Sequence, residues 1–151
     1  MPTAGRLIAA VVLALAAWGA ALAYRRTLPP EVVATWLPET VGALGLVIGW
    51  LSVGRRLGVR SRPAGAGRAL AAGLQGALLV LVWAAFGFGV RQMLIETLDR
   101  RLKGLEEAFF RLAELFWLNL ASAADPLTLA LLIGGGVASG VLGRAALMRW
   151  G

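Results

Sequence analysis

Apolar and charged residues occupy separate blocks of this chain. Four long apolar stretches hold no charged residue, and all 15 basic and all 8 acidic side chains lie between or outside them. Soluble helices instead carry charge along their exposed face. The pattern therefore predicts an all-α integral membrane protein with four helical spans, at Leu7–Tyr24, Val41–Gly54, Ala69–Val90 and Pro126–Gly143.

The first apolar stretch has two interpretations. Leu7–Tyr24 has 18 residues, and as a helix it is about 27 Å long, close to the roughly 30 Å thickness of the hydrocarbon layer. Arg6 precedes it, and Ala21-Leu22-Ala23 has the small-residue pattern of a signal-peptidase site. We expect a retained membrane span, with a cleaved signal peptide as the alternative.

The second stretch is the shortest. Val41–Gly54 has 14 residues, which as a helix measure about 21 Å. A start at Pro38 lengthens it, since proline is well tolerated in the first helical turn. Glu39 then lies near the positive end of the helix dipole. We expect a short span over 38–54, and a re-entrant or interfacial segment is the alternative.

Between the third and fourth spans, residues 91–119 form an amphipathic pattern. Apolar residues recur there at alternating spacings of three and four, which is a heptad seam. Three interpretations are open: the segment extends the third span and folds back near Gly104, it lies flat in the membrane interface, or its seam binds another protein. The seam residues are Ile95, Leu98, Leu102, Leu105, Phe109, Leu112 and Phe116.

Small residues recur at four-residue spacing within the spans. In lipid, helices associate through close backbone approach, which small residues allow. We therefore expect packing between the spans of one chain, and homodimerisation through Gly136 and Gly140 is the alternative. The packing candidates are Gly45, Gly49, Gly73, Gly136 and Gly140.

The connector after the second span carries the strongest signal for orientation. Five arginines and no acidic residue lie in it: Arg55, Arg56, Arg60, Arg62 and Arg68. Positively charged loops stay in the cytoplasm, so we expect this connector and both termini to be cytoplasmic. The same arginines are candidates for contact with lipid headgroups. A net charge of +7 is explained in this way without nucleic acid.

Composition removes most kinds of chemistry. The chain has no Cys and no His, which excludes thiol chemistry, His-based acid–base catalysis and the usual zinc ligands. No ionisable residue lies well inside a span, as ion-coupled transporters usually require. We therefore predict no enzyme activity, no catalytic residue, no cofactor and no metal site. A small transporter would need a polar cavity at Gln75.

Several landmarks in order along the chain resemble one family. The chain opens Met1-Pro2-Thr3-Ala4 and enters its first apolar span directly. The end of the second span fits the pattern G-W-x-x-x-G-x-R-x-G. Later landmarks follow in the third span, the basic turn, the acidic helix and the C-terminus. The residues of the pattern are Gly49, Trp50, Gly54, Arg56 and Gly58. The later landmarks are Gly73-Leu74, Trp83, Met93, Leu98, Arg100-Arg101, Gly104, Glu107-Ala108 and Arg149-Trp150.

Together these residues resemble the TrgA family of small bacterial membrane proteins associated with tellurite resistance. The resemblance covers nearly the whole chain and departs from the family pattern at Leu102-Lys103-Gly104-Leu105, where an aromatic–acid–Gly–Pro turn is expected. It implies an uncleaved first span, an inner-membrane location and an association with tellurite resistance. It implies no mechanism and no catalytic residue.

Two further functional hypotheses stand beside the one that the resemblance implies. The chain is expected to be a non-enzymatic membrane factor linked to tellurite or oxyanion stress, with the lipid bilayer as its partner. Alternatively it is an accessory subunit that packs on a larger membrane complex through the Ile95–Phe116 seam and the small-residue faces of the spans. A homo-oligomer is a further possible assembly. A small transporter is the third hypothesis.

Overall fold

The computed structural model describes residues 4–28, 35–59, 62–98 and 104–150. Within them the chain forms five helices and one two-stranded antiparallel hairpin. The elements in chain order are α1 (Ala4–Arg25), α2 (Leu37–Arg56), β1 (Gly58–Val59), β2 (Arg62–Pro63), α3 (Ala66–Leu98), α4 (Leu105–Ser122) and α5 (Pro126–Trp150).

Four of these helices are each long and apolar enough to cross a membrane: α1, α2, α3 and α5. Each contains one of the four charge-free stretches. The all-α prediction is therefore confirmed, and the small hairpin between α2 and α3 is an addition to it. The chain is a multi-pass helical protein of the membrane type.

Small side chains are buried between the spans, and large apolar side chains face outward, as expected for a protein in lipid. The buried core is dominated by alanines and glycines, while large apolar side chains point outward from every span. Lipid is as apolar as leucine, so burying leucine between spans offers little advantage over leaving it in lipid. Small side chains instead allow close backbone packing. Outward-facing examples are Leu7, Leu15, Leu46, Leu51, Leu78, Phe86, Leu131 and Leu142.

Helix α1 packs between α2 and α5. Ala9, Leu13 and Ala17 on its buried face are 0% exposed. It touches α3 only slightly. Cleavage after this segment would remove a helix that contributes many of the buried core residues, so the packing favours a retained α1 over a signal peptide.

Helix α2 is longer than its charge-free stretch. It begins at Leu37, with Pro38 and Glu39 in its first turn, and runs for 20 residues to Arg56. That length corresponds to about 30 Å, enough to cross the hydrocarbon layer. Gly49–Val53 form a π-helical turn within it, where the backbone widens to i+5 hydrogen bonds.

The amphipathic segment is not one helix from 91 to 119. Helix α3 continues through Arg91 to Leu98, and α4 begins only at Leu105 after Gly104, whose backbone is extended. The 33 residues of α3 span about 50 Å, so its last part extends beyond a single membrane crossing. Helix α4 then folds back and packs against α3. Of the three interpretations, the fold-back near Gly104 describes this arrangement.

Candidate functional surfaces at the two ends of the bundle

Both chain termini and the β-hairpin lie at the same end of the bundle. A Cβ built on Gly5 would stand 2.7 Å from the carbonyl oxygen of Gly143, and one built on Gly54 would stand 2.9 Å from Cγ of Arg6. We call this the basic end. Its described arginines are Arg6, Arg55, Arg56, Arg68, Arg144 and Arg149.

Two arginines of the basic end join neighbouring elements. Arg56 of α2 donates a hydrogen bond to the side-chain oxygen of Gln75 on α3. The Nε of Arg144 on α5 donates to the backbone oxygen of Ala64, over 2.9 Å. The first bond joins two spans, and the second ties the segment after β2 to α5. Arg55 and Arg68 are exposed, as is Arg56.

The connector contains two further predicted arginines, Arg60 and Arg62. Arg60 lies outside the described residues, and Arg62 is described only by its backbone in β2. That backbone pairs with Val59, and Gly58 at the start of the hairpin has a φ of 82°. Glycine adopts this left-handed conformation without the strain that a side chain brings.

The described carboxylates lie at one end of the bundle, whereas arginines lie at both: Arg25, Arg26, Arg91 and Arg111 are at the end opposite the basic end. All six acidic residues that the structure describes lie at the other end, on α2, α3, α4 or the start of α5: Glu39, Glu96, Glu106, Glu107, Glu114 and Asp125. The basic end therefore has no described carboxylate to neutralise its arginines. Such a surface attracts anions, of which phospholipid headgroups are the nearest in a membrane.

At the opposite end, Arg111 connects α4 to α3. Its Nε and Nη2 donate to the two carboxylate oxygens of Glu96 at 2.8 and 3.1 Å, and its Nη1 donates to Glu114 at 2.8 Å. These bonds, to Glu96 first and to Glu114 next, raise the pKa of Arg111 above its usual value. The guanidinium therefore stays charged at any accessible pH.

The seam residues do not share one surface. Leu98 is 81% exposed and Phe109 is 72% exposed, and Ile95 is exposed as well. Leu112 and Phe116 are half-buried. Leu102 lies outside the described residues, and only the backbone of Leu105 is described. The two halves of the Ile95–Phe116 seam therefore lie on different helices, α3 and α4, and α4 begins after Gly104.

An open aromatic groove lies between α3 and α4 in place of that seam. Gly89 of α3 lies against α4, since a Cβ there would stand in van der Waals contact, 3.4 Å from Cδ1 of Leu112. The groove encloses about 390 Å³. Its lining is apolar, from Val82, Trp83 and Phe86 of α3 and Phe109, Leu112, Ala113 and Phe116 of α4. Sequence periodicity missed this groove because its walls come from two helices.

The five predicted packing glycines all face neighbouring helices of the same chain. A Cβ on Gly45 would stand 2.7 Å from Cβ of Ala17, and one on Gly49 would stand 2.6 Å from Cα of Ala10. Gly73 and Gly136 face each other between α3 and α5, and Gly140 faces Ala69. A homodimer through Gly136 and Gly140 would require that α3 be displaced.

Polar side chains within the spans and at their ends form hydrogen bonds that stabilise the fold. The buried Ser139 hydroxyl donates to the backbone oxygen of Ala9 over 2.8 Å, which links α5 to α1. The carboxylate of Asp125 accepts hydrogen bonds from the backbone N–H groups of Leu127 and Thr128 at 3.2 Å and so caps α5. Gln75 accepts from Arg56 and does not line the cavities described in this section.

A small cavity lies where α1, α2, α3, α4 and α5 meet. Its volume is about 50 Å³, and its walls include Tyr24, Phe88, Asn119 and Thr128. Among the described residues, the amide Nδ2 of Asn119 is buried without a hydrogen-bond partner. Ligand sites usually enclose about 300–1,000 Å³, so this cavity is too small for an organic substrate.

No group of three or more metal-ligating side chains gathers anywhere in the part of the chain that the structure describes. No family model, curated protein or solved structure matches this chain. The resemblance to the TrgA family therefore rests on the residues quoted for it.

Proposed function

We propose that this chain is a non-enzymatic, multi-pass protein of a bacterial inner membrane that contributes to resistance against tellurite or related oxyanions. The observation that carries the proposal is the ordered set of landmarks that resembles the TrgA family. Its densest part is the pattern from Gly49 to Gly58 at the end of the second span.

The geometry around this pattern supports a specific requirement for its residues. Gly49 and Gly54 lie where added side chains would collide with α1, and Gly58 has a positive φ. Arg56 bonds Gln75 on the next span. Each of these four positions has a physical reason for its residue type.

We further propose that the basic end, with both termini, faces the cytoplasm. The support is the concentration of arginine at that end and the location of every described carboxylate at the other. Positive charge next to spans is retained on the cytoplasmic side. The arginines then contact anionic headgroups of the inner leaflet.

Gene deletion tests the resistance function. We expect a strain without this gene to grow less well on tellurite plates, and expression of the chain from a plasmid to restore growth. Arg56→Gln should restore growth poorly, because it removes the motif arginine and its bond to Gln75. Arg55→Gln is the matched control, since Arg55 is adjacent, exposed and outside the motif.

Immunoblots of membrane fractions must show equal amounts of the two variants. Unchanged tellurite sensitivity after deletion would contradict the proposal. Equal restoration by both variants would remove Arg56 from the functional residues.

The aromatic surface of α4 favours one alternative, an accessory subunit of a larger membrane complex. Phe109, Phe110 and Trp117 are all exposed, and buried aromatic anchors dominate many protein interfaces. Isolation of a lone monomer in mild detergent would argue against this alternative. The position of Gln75, bonded to Arg56, gives the transporter hypothesis no support.

A further inference from the structure

A second groove opens between α2 and α3, at the end of the bundle opposite the basic end. It encloses about 260 Å³, and its walls include Trp36 and Leu44 on the α2 side and Trp83, Gly87, Phe88 and Arg91 on α3. We call it the Arg91 groove. Apart from Arg91 and Thr40, the side chains that line it are apolar or aromatic.

Arg91 is held at the mouth of this groove by aromatic contacts. Its guanidinium carbon lies 4.5 Å from the centroid of the Trp36 ring, and that ring stacks on Phe88 with centroids 5.4 Å apart. Arg91 is exposed, and no carboxylate among the described residues forms an ion pair with it. The groove therefore presents a positioned cation that is available to an anionic ligand.

The depth of the groove matches one leaflet of a bilayer. Arg91 is the first charged residue after the charge-free stretch Ala69–Val90 and so lies at the level of the headgroups. Trp83 lies eight residues earlier on α3, which is about 12 Å deeper along the helix. Half of the hydrocarbon layer is about 15 Å thick. The cation is thus at the surface while the apolar floor reaches through most of a leaflet.

We propose that the Arg91 groove binds one anionic phospholipid, with the headgroup phosphate at Arg91 and an acyl chain along Leu44, Trp83 and Gly87. Lipid is the occupant because both walls belong to spans and the groove opens onto their outward-facing surface. An anionic lipid is favoured over a zwitterionic one because the latter brings its own cation close to Arg91.

Gly87 provides a variant that fills the groove without disturbing the fold. A Cβ built on Gly87 meets no atom within 4 Å, so Gly87→Leu adds a side chain where the acyl chain would lie. Gly134 on α5 also has open space around it and does not line the groove. Gly134→Leu is therefore the matched control. Arg91→Gln removes the charge and leaves a polar side chain.

Native mass spectrometry of the full-length protein tests the proposal. The protein is incubated in detergent with phosphatidylglycerol or with phosphatidylcholine that has the same acyl chains, and is then released from the detergent in the spectrometer. We expect the wild type and Gly134→Leu to retain phosphatidylglycerol in preference to phosphatidylcholine. Arg91→Gln should weaken the binding of one phosphatidylglycerol about fivefold, as expected for one surface arginine. Gly87→Leu should remove the same molecule.

The double variant separates this groove from the basic end, which also attracts anionic lipid. If one site is involved, Arg91→Gln combined with Gly87→Leu loses one bound lipid and no more, because the two changes act on the same molecule. Unchanged phosphatidylglycerol occupancy in Gly87→Leu would overturn the proposal. Displacement of the lipid by excess inorganic phosphate would also overturn it, since the site would then recognise the anion alone.

Discussion

At the scale of single residues, the surroundings of each glycine determine its importance. Gly73 faces the backbone of Gly136 so closely that a side chain has no room, whereas Gly19 and Gly134 have open space. All four glycines lie in spans of similar composition. Four-residue spacing identified Gly73 and Gly136 as packing candidates, but only the neighbouring helix distinguishes a required glycine from a replaceable one.

Alanine substitution measures this difference. Gly73→Ala should lower the free energy of unfolding by about 1–3 kcal/mol, because the added methyl group overpacks the contact between α3 and α5. Gly19→Ala should leave stability unchanged or raise it by up to about 1 kcal/mol, since alanine is the better helix former. Unfolding of purified protein in mixed micelles by increasing SDS gives both values. Equal stability of the two variants would show that α3 and α5 do not pack as described.

At the scale of elements, the helical hairpin of α3 and α4 depends on contacts between them. Heptad spacing continues across Gly104 as though one helix ran through it, yet α4 turns back onto α3. Arg111 pairs with Glu114 on its own helix and with Glu96 from α3. This contact between two helices holds the hairpin together.

Two glutamine substitutions compare the partners of Arg111. The side chain of Glu96 is 18% exposed and accepts two bonds, while that of Glu114 is 58% exposed and accepts one. Glu96→Gln should weaken the docking of α4 by about 1 kcal/mol, and Glu114→Gln should have a smaller effect, as for most exposed pairs.

Hydrogen exchange of the α4 amides reports this docking, because local opening governs their exchange. We expect roughly fivefold faster exchange in α4 for Glu96→Gln, with the amides of α1 unchanged as an internal control. Similar α4 exchange rates in the two variants would show that the bond between Arg111 and Glu96 contributes no more to docking than the bond between Arg111 and Glu114.

At the scale of the whole molecule, charge asymmetry orients the bundle. Three separate parts of the chain bring their arginines to one end: the start of α1, the end of α2 with the following hairpin, and the end of α5. The carboxylates that the structure describes gather at the other end. The two ends of the bundle therefore differ in charge, because the described carboxylates lie at only one of them.

Single cysteines test this orientation without background, because the chain contains no Cys. A membrane-impermeant maleimide added to intact cells should label Gly104→Cys, whereas Gly65→Cys should react only after the inner membrane is permeabilised. Gly134→Cys, inside a span, should stay unlabelled in both conditions. Labelling of Gly65→Cys in intact cells would reverse the proposed topology.

Much of this architecture follows from the sequence alone. Long runs without charge predict spans because burying an unpaired charge in hydrocarbon is costly, and this holds wherever the run lies in the fold. Pro38, Glu39 and the small residues are likewise local signals, and the structure uses them where they were expected. The absence of Cys and His limits the possible chemistry for the same reason, since it concerns residue types and not their arrangement.

Tertiary structure decided what depends on residues far apart in the chain. The return of α4 onto α3, the packing of α1 between α2 and α5, and the meeting of Trp36 with Phe88 and Arg91 arise from packing between helices. Periodicity describes one face of one helix and carries no information about the partner of that face. The sequence therefore determined the spans and the charge of each connector, while only the folded chain brought two helices together into a groove with a cation at its mouth.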